Sequence, residues 1–279
     1  MFRKILILLV IVCNINIAWA KKLNIVTSVT PLAAITAMIT GDTAQINVLA
    51  GPSQCPHHYF LKPEQFTQIK AADLIIYIDN NFEVFINKSL KITTANVLKL
   101  SNSSNLMTKV NSIDNWHLWY SLNNIKVMMQ SIVEKLSQIN PDLHSLYTKN
   151  YHHALEELSN IQNHMITRLT SETKYILLDP SLYYLFRNFK NDNQLEILSI
   201  SSDTATFHTL EQITKHSLKT RNKCLFISSH QNKNKIQKRV GKKVKVISID
   251  TEDWIMDENP PLTLSKRMYE AIDLIEQCL

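Results

Sequence analysis

The segment LNIVTSVTPLAAITAMITGDTAQINVLA, residues 23–50, decides the fold class. It contains two apolar, β-branched runs, Leu23–Val29 and Ala44–Ala50, and a helical pattern between them over Pro31–Thr40. The runs are mostly continuous in apolar residues instead of alternating with polar ones, which is typical of strands covered on both faces. Pro31 also suits the first turn of a helix. The segment therefore predicts a strand–helix–strand unit of a parallel sheet.

The same alternation continues along the rest of the chain. Six more runs predict strands, at Asp73–Asp79, Asn96–Ser101, Tyr175–Asp179, Leu195–Ile200, Lys223–Ser229 and Val244–Asp250. Five more patterns predict helices, at Pro63–Ala71, Asn124–Ile139, Thr209–Ser217, Lys233–Val240 and Pro261–Gln277. We therefore expect an α/β protein with two (β/α)4 lobes, each built on a parallel four-stranded sheet.

A long helical pattern over about Pro141–Ser171 separates the two sets of strands. Its apolar residues recur at three- and four-residue steps, and at 1.5 Å per residue it would be about 45 Å long. We interpret it as a rigid helix that joins the lobes, and a coiled-coil dimer is the alternative. The predicted boundaries are an N-terminal lobe over 21–140, a linking helix over 141–172 and a C-terminal lobe over 173–279.

Residues 1–20 have the features of an export signal. Arg3 and Lys4 precede the apolar run Ile5–Cys13, and Ala18-Trp19-Ala20 has the small-x-small pattern of a signal peptidase site. We expect cleavage near Ala20 and a periplasmic protein, because the apolar run is too short to span a bilayer as a helix.

Composition excludes several classes of protein. The chain has 279 residues, of which 45% are hydrophobic and 19% charged, so it is not a disordered chain. Its three glycines provide no Gly-rich loop of the kind that binds phosphates. The basic residues cluster between Lys233 and Lys245 without interleaved aromatics, which indicates a solvated helix and no nucleic-acid partner.

Four side chains that could bind a metal lie near the predicted carboxyl ends of strands, where open parallel sheets bind ligands. These residues are His57, His117, Asp179 and Asp250. Two histidines and two carboxylates suit a divalent transition metal. Each has a plainer alternative: the histidines could be a surface and a packed core residue, and the aspartates could cap the helices that follow them.

Three blocks of sequence resemble the zinc- and manganese-binding periplasmic proteins of bacterial ABC transporters, the ZnuA-like group. The first combines TPL at 30–32, GP at 51–52, PHHYFLKP at 56–63 and ADLIIY at 72–77. The second is WHLW at 116–119, and the third is a late pattern of Cys224, Asp250 and Cys278. The resemblance implies two α/β lobes joined by a rigid helix, with the metal between them.

The resemblance also implies a ligand set and a disulfide. His57 and His117 match motif histidines of the family, and Asp250 matches its late aspartate. Asp179 takes the position of a His or Glu, which is a departure from the family pattern. Sequence alone leaves three pairings open among the cysteines that follow the signal, which are Cys55, Cys224 and Cys278. The family pattern implies the pair Cys224–Cys278.

The function expected from the resemblance is metal capture without catalysis. The protein would bind Zn²⁺, with Mn²⁺ or iron as the alternative, and deliver it as a monomer to a membrane permease. A second hypothesis is an exported metal-dependent hydrolase, for which Glu64 or Glu252 could be nominated as general base. A third is a surface adhesin with a structural metal that does not exchange.

Overall fold

A computed structural model describes residues 21–52, 54, 56–110, 112–169, 175–190, 194–197, 211, 215 and 224–279. Within these residues the chain forms two parallel four-stranded sheets and a long helix, which confirms the predicted fold class. The strands are β1 Leu23–Val29, β2 Ala44–Ala50, β3 Leu74–Tyr77, β4 Asn96–Lys99, β5 Lys109–Val110, β6 Ile113–Asp114, β7 Tyr175–Leu177, β8 Leu195–Ile197, β9 Cys224–Ser228 and β10 Lys245–Ile249.

The described helices lie between these strands and after the last one. They are α1 Thr30–Thr40, α2 Pro63–Ala71, α3 Asn87–Leu90, α4 Leu122–Ile139, α5 His144–Arg168, α6 Tyr183–Arg187, α7 Lys233–Val240 and α8 Thr263–Glu276. Single turns of 3-10 helix lie in several of the connecting loops. Most of the predicted helix Thr209–Ser217 lies outside the described residues.

The N-terminal sheet has the strand order β2-β1-β3-β4, and every pair in it is parallel. Strand β1 is central, and its residues Ile25 and Val26 are fully buried because helices cover both faces. Parallel strands in one sheet place their carboxyl ends at the same edge. The loops after β1, β3 and β4 therefore meet at one edge of this lobe.

The C-terminal sheet repeats the arrangement with the order β10-β9-β7-β8, again all parallel. A disulfide joins Cys224 at the start of β9 to Cys278 just after α8, with 6.0 Å between the Cα atoms. The pairing implied by the family resemblance is thus confirmed. It fixes the last helix to a central strand of the sheet.

Helix α5 packs along both lobes. It contacts α1 and α4 on one side and α8 on the other, and Asn150 Nδ2 donates a hydrogen bond to the Ile39 carbonyl oxygen. At its far end Arg168 forms an ion pair with Glu276. Its apolar stripe, including Tyr147 and Leu158, is buried within the chain. The stripe is therefore used for intramolecular packing, which disfavours the coiled-coil alternative.

The two lobes share one hydrophobic core, which runs from Ile25 in β1 to Ile275 in α8. Trp119, Tyr120 and Trp254 lie fully buried in this core, and the rings of Tyr120 and Trp254 meet edge to face at 5.8 Å. Burial of large aromatic side chains contributes strongly to packing. The lobes are therefore held together by a continuous apolar interface in addition to the linking helix.

The polar segment between β4 and α4 contains a small hairpin. The polar stretch 102–115 forms the two-residue strands β5 and β6, which pair antiparallel with Val110 opposite Ile113. Ser112 in the turn has a φ of 66°. Strands this short leave no detectable alternation in the sequence, so the pattern could not predict them.

Within the described residues, none of the helices combines the length and the apolar composition needed to cross a bilayer. The exposed side chains of Lys233, Lys235 and Lys238 on α7 agree with the predicted solvated helix.

Removal of the disulfide should destabilise the protein without changing its fold. The crosslink spans 54 residues, and the chain-entropy relation gives about 4 kcal/mol for a loop of this size. We expect the double variant Cys224→Ser/Cys278→Ser to lose about 2–4 kcal/mol of unfolding free energy in urea titrations. Wild-type protein in a reducing agent should show the same loss. Equal midpoints for oxidised and reduced protein would contradict this expectation.

Candidate metal centre

Segments from both lobes meet around His117. The residue lies between β6 and α4, and its ring packs edge to face against Trp119 at 5.2 Å and against Phe82 at 5.9 Å. Only 14% of its side chain is exposed. The aromatic neighbours restrict the rotation of the imidazole, so its nitrogens point in defined directions.

Asn115 fixes the orientation of this imidazole. Its Oδ1 accepts a hydrogen bond from the His117 backbone N–H at 3.1 Å and lies 3.2 Å from His117 Nδ1. Its Nδ2 donates to the Pro180 carbonyl oxygen at 2.7 Å. Because the amide nitrogen is used by Pro180, the amide oxygen faces His117, and Nδ1 is the donor in that contact. His117 Nε2 is left to face the C-terminal lobe.

The His117 Nε2 atom faces Glu252, which lies in the loop after β10. Its Oε1 lies 2.6 Å from His117 Nε2, and its Oε2 lies 3.0 Å from His230 Nε2. Only 6% of the Glu252 side chain is exposed, compared with 33% of His230. One carboxylate therefore bridges two imidazoles, one before helix α4 and one in the loop after β9.

The electrostatics of this cluster favour an ionised carboxylate. Burial opposes ionisation of Glu252, but the hydrogen bonds with His117 and His230 outweigh it and hold its pKa well below the ordinary value. The hydrogen bond to Glu252 raises the pKa of His230. The cluster therefore concentrates negative charge on Glu252 between the imidazoles of His117 and His230.

The two predicted aspartates are near this cluster but form local hydrogen bonds. Asp250 Oδ1 accepts from the backbone N–H groups of Glu252 and Asp253, at 3.2 and 2.7 Å. Burial raises the pKa of Asp250. Asp179, which is 4% exposed, accepts at Oδ1 from the Ser181 N–H at 2.8 Å and so caps the turn that follows it.

Two aromatic side chains tie the segment of His117 to the loop after β10. Trp119 Nε1 donates to the Thr251 carbonyl oxygen at 2.9 Å, and the Tyr120 hydroxyl donates to the Asp250 carbonyl oxygen. Burial and the nearby Asp250 carboxylate raise the pKa of Tyr120, so the phenol stays a donor. These bonds set the distance between His117 and Glu252.

The edge of the N-terminal sheet is organised by a second buried acid, Glu83. It accepts hydrogen bonds from the Ser28 hydroxyl at 2.6 Å and from the backbone N–H groups of Ile78 and Asp79 at 3.0 and 2.8 Å. Burial raises the pKa of Glu83 to about 7. This network shapes the loop after β3, which carries Phe82 against the His117 ring.

The position of His57 is described only for its backbone, in the turn Pro56–His58. That turn contacts the turn Val84–Ile86, in the loop that carries Phe82. The side chain of His57 and the whole of Cys55 lie outside the described part of the structure. Among the described residues, no three His, Cys, Asp or Glu side chains are arranged closely enough to hold a metal ion as they stand.

The sequence interpretation left His230 unassigned and nominated Glu252 only as a base for a hydrolase. Both lie just beyond the carboxyl ends of neighbouring parallel strands, since His230 follows β9 by two residues and Glu252 follows β10 by three. The strand-end rule that selected Asp250 also applies to them. Applying the rule to the three residues that follow each strand would have identified both His230 and Glu252.

The fold is that of a two-lobed α/β protein with a histidine–carboxylate cluster between its lobes. Residues 25–278 match the family model described as "Zinc-uptake complex component A periplasmic". The chain belongs to this family, whose members are metal-binding transport proteins.

Three similar proteins illustrate the relationship. An uncharacterized protein of Rickettsia prowazekii is 30% identical over 92% of this chain and 84% of its own length. The metal ABC transporter substrate-binding lipoprotein SloC of Streptococcus mutans is 25% identical over 75% of this chain and 74% of its own length. The solved structure of the periplasmic zinc-binding protein TroA from Treponema pallidum superposes with a TM-score of 0.77 at 17% identity, covering 92% of this chain and 99% of that one.

The raised pKa of Glu83 predicts a dependence of stability on pH. The ordinary value is 4.5 and the folded value about 7, so the folded chain binds this proton more tightly than the unfolded chain. The contribution of protonated Glu83 to the unfolding free energy is present in full below about pH 4.5 and is lost as the pH rises through about 7. It amounts to about 3 kcal/mol.

Urea unfolding of wild type and Glu83→Gln at pH 5 and pH 8 measures this effect. The unfolding free energy of wild type should fall relative to that of the variant by about 2.5 kcal/mol between these values. The substitution itself changes the unfolding free energy by an amount that does not depend on pH, and this amount cancels when the two pH values are compared. A difference between the two proteins that does not change with pH would show that Glu83 is not the responsible group.

Proposed function

We propose that this chain is the exported solute-binding component of an ABC importer for a divalent transition metal. It captures the ion between its two lobes, with zinc preferred, and delivers it as a monomer to a membrane permease. The observation that carries the proposal is His117 Nε2, buried at the meeting of the lobes and 2.6 Å from the Glu252 carboxylate. An oriented imidazole beside a buried carboxylate is suited to a transition metal.

The comparisons support this assignment. The family model is described as a periplasmic zinc-uptake component. SloC carries the description of a metal ABC transporter substrate-binding lipoprotein, and TroA that of a periplasmic zinc-binding protein. A periplasmic location agrees with the export signal expected over residues 1–20, with cleavage near Ala20.

The proposed ligands are His57, His117, Asp179 and Asp250. The hydrogen bonds that Asp179 and Asp250 accept locally both use Oδ1, so we assign Oδ2 of each to the metal. The imidazoles bind through neutral nitrogens, and the carboxylates offset the charge of the ion. Imidazole ligands favour zinc, while a carboxylate-rich set favours manganese or iron, which are the alternative cargo.

Transport requires that the metal exchange. A structural metal of an adhesin would be enclosed and resistant to chelators, and a hydrolase would need an open position with a base beside it. His230 is one-third exposed, and Glu252 lies behind it at 3.0 Å. This partial exposure supports a route by which an ion enters and leaves.

Calorimetric titration of zinc and manganese into metal-free protein tests the proposal. We expect tight zinc binding by wild type and a loss of about 100-fold or more in His117→Ala, because a ligand contributes more than the groups that orient it. His152→Ala is the matched control, since His152 is exposed on α5, and it should bind as wild type does. Equal affinity of wild type and His117→Ala would remove His117 from the site.

The role of Asn115 can be tested in the same assay. Asn115→Ala loses the acceptor that holds His117 Nδ1, so zinc affinity should fall by about 10- to 100-fold. Asn115→Asp keeps an oxygen for His117 and loses only the donor to Pro180, so it should bind more tightly than the Ala variant. If both variants bind equally, Asn115 does not act through the imidazole.

A further inference from the structure

We propose that a cluster of basic side chains on the C-terminal lobe is a docking surface for a membrane that carries anionic lipid headgroups. We call this cluster the basic patch, and its residues are Lys233, Lys235, Lys238, Arg239, Lys242, Lys243 and Lys245. They belong to helix α7, the turn after it and the first residue of strand β10. The inference goes beyond the proposed function, because it concerns where the protein resides and not what it carries.

The first argument is the concentration of positive charge in one segment. Residues 232–249 include the seven basic residues of the patch and no Asp or Glu. The whole chain has a formal net charge of +6 at pH 7, so this segment accounts for more than the entire excess of positive charge. Charge gathered on one surface produces a local positive potential that attracts a negatively charged partner.

The second argument is that the charges are exposed and mostly unpaired. All seven residues of the patch are exposed. Within the described part of the chain, five of them form no ion pair: Lys233, Lys235, Lys238, Lys242 and Lys243. Glu276 of helix α8, which packs against β10, is already paired with Arg168. The ammonium groups of the patch are therefore available to a partner from outside the chain.

The third argument is the cost of this arrangement to the free protein. On α7, Lys235 and Arg239 are four residues apart, and like charges at this spacing destabilise a helix. Lys238 and Arg239 lie in the last turn, where positive charge suits the helix dipole. That benefit does not extend to Lys242 and Lys243, which lie beyond the end of the helix. An anionic surface would compensate the repulsion across the whole patch.

The chemistry of the patch favours a lipid surface over a protein partner. Ile236 and Val240, the apolar residues of α7, are buried against the sheet, so they offer no apolar anchor to a partner. Protein interfaces are depleted in lysine and enriched in aromatic residues and arginine. The patch has six lysines and one arginine, and residues 232–249 contain no Phe, Trp or Tyr. Lysine acts as a point charge that needs no fixed geometry, which suits a fluid layer of headgroups.

The position of the patch leaves the candidate metal centre uncovered. Lys245 begins β10 opposite Cys224, which begins the parallel strand β9. His230 and Glu252 follow the other ends of these two strands. A strand of five residues is about 17 Å long. A protein held at the membrane by the turn after α7 and the start of β10 would therefore keep the metal centre at the far end of the lobe, away from the lipid.

Co-sedimentation with lipid vesicles tests the inference. Wild-type protein should bind vesicles of phosphatidylglycerol mixed with phosphatidylcholine in about 0.1 M salt, and it should stay in solution with vesicles of phosphatidylcholine alone. In about 1 M salt the binding should disappear, because the Debye length falls from about 10 Å to about 3 Å. The inference is wrong if wild type does not bind the anionic vesicles, or if it binds both kinds of vesicle equally.

A triple variant assigns the binding to the patch. Lys235→Gln/Lys238→Gln/Lys242→Gln removes three exposed cations. Its affinity for the anionic vesicles should fall by about 100-fold, since each lysine near an anionic surface contributes about five-fold. Glutamine is a good helix former, so the variant should fold, and a urea titration that gives the wild-type midpoint checks this.

A second triple variant is the matched control. Lys70→Gln/Lys91→Gln/Lys149→Gln removes the same charge from exposed positions outside the patch. Its affinity for the anionic vesicles should fall by less than about five-fold. Equal losses in the two triple variants would show that net charge and not the patch is responsible, and the inference would be rejected.

Two competitors separate lipid headgroups from other anions. Inorganic phosphate at constant ionic strength should not release the protein from the vesicles, because one small anion cannot replace contacts spread over the patch. Release by phosphate would mean that the patch binds a soluble anion instead of a membrane. Tighter binding to poly-glutamate than to the anionic vesicles would assign the patch to an acidic protein and would equally contradict the inference.

Zinc titration keeps this inference separate from the proposed function. The Lys235→Gln/Lys238→Gln/Lys242→Gln variant should bind zinc as wild type does, because the patch lies away from the candidate metal centre. A wild-type protein that binds anionic vesicles but no zinc would contradict the proposed function alone. A wild-type protein that binds zinc but no anionic vesicles would contradict the docking surface alone.

Discussion

Two hydrogen bonds between the lobes determine where the chemistry can occur. Trp119 and Tyr120 donate to the carbonyl oxygens of Thr251 and Asp250, and both aromatic rings lie inside the common core. Buried donors of this kind must be paired, because an unpaired one costs about 1–3 kcal/mol. The loop after β10 is thereby fixed next to the segment that carries His117, and the distance between imidazole and carboxylate follows from that packing.

Because these hydrogen bonds fix the two segments next to each other, the polar groups around the site have two different roles. Asn115 and Asp250 each use an oxygen to orient neighbouring groups, while His117 and His230 each face the Glu252 carboxylate. The Glu252 carboxylate lies within 3.0 Å of a nitrogen of each imidazole.

The sequence predicted the elements well where apolar runs are bounded by polar residues or glycine. The bounds of β1 and β2 agree with the prediction to the residue. Strand β3 ends at Tyr77 and not at the predicted Asp79, because the next two N–H groups bond to Glu83 instead of a neighbouring strand. The cluster around Glu252 was harder to predict, since it depends on a register between lobes that no local pattern encodes.

The bonds that join the lobes end on main-chain carbonyl oxygens, which every amino acid at positions 250 and 251 would provide. These two bonds therefore do not depend on the identity of the side chains at positions 250 and 251. Over evolutionary time, substitutions in this loop could alter which ion is preferred while the frame remains intact. Proteins with closely similar folds would then differ in the metal ion they prefer through a few substitutions in this loop.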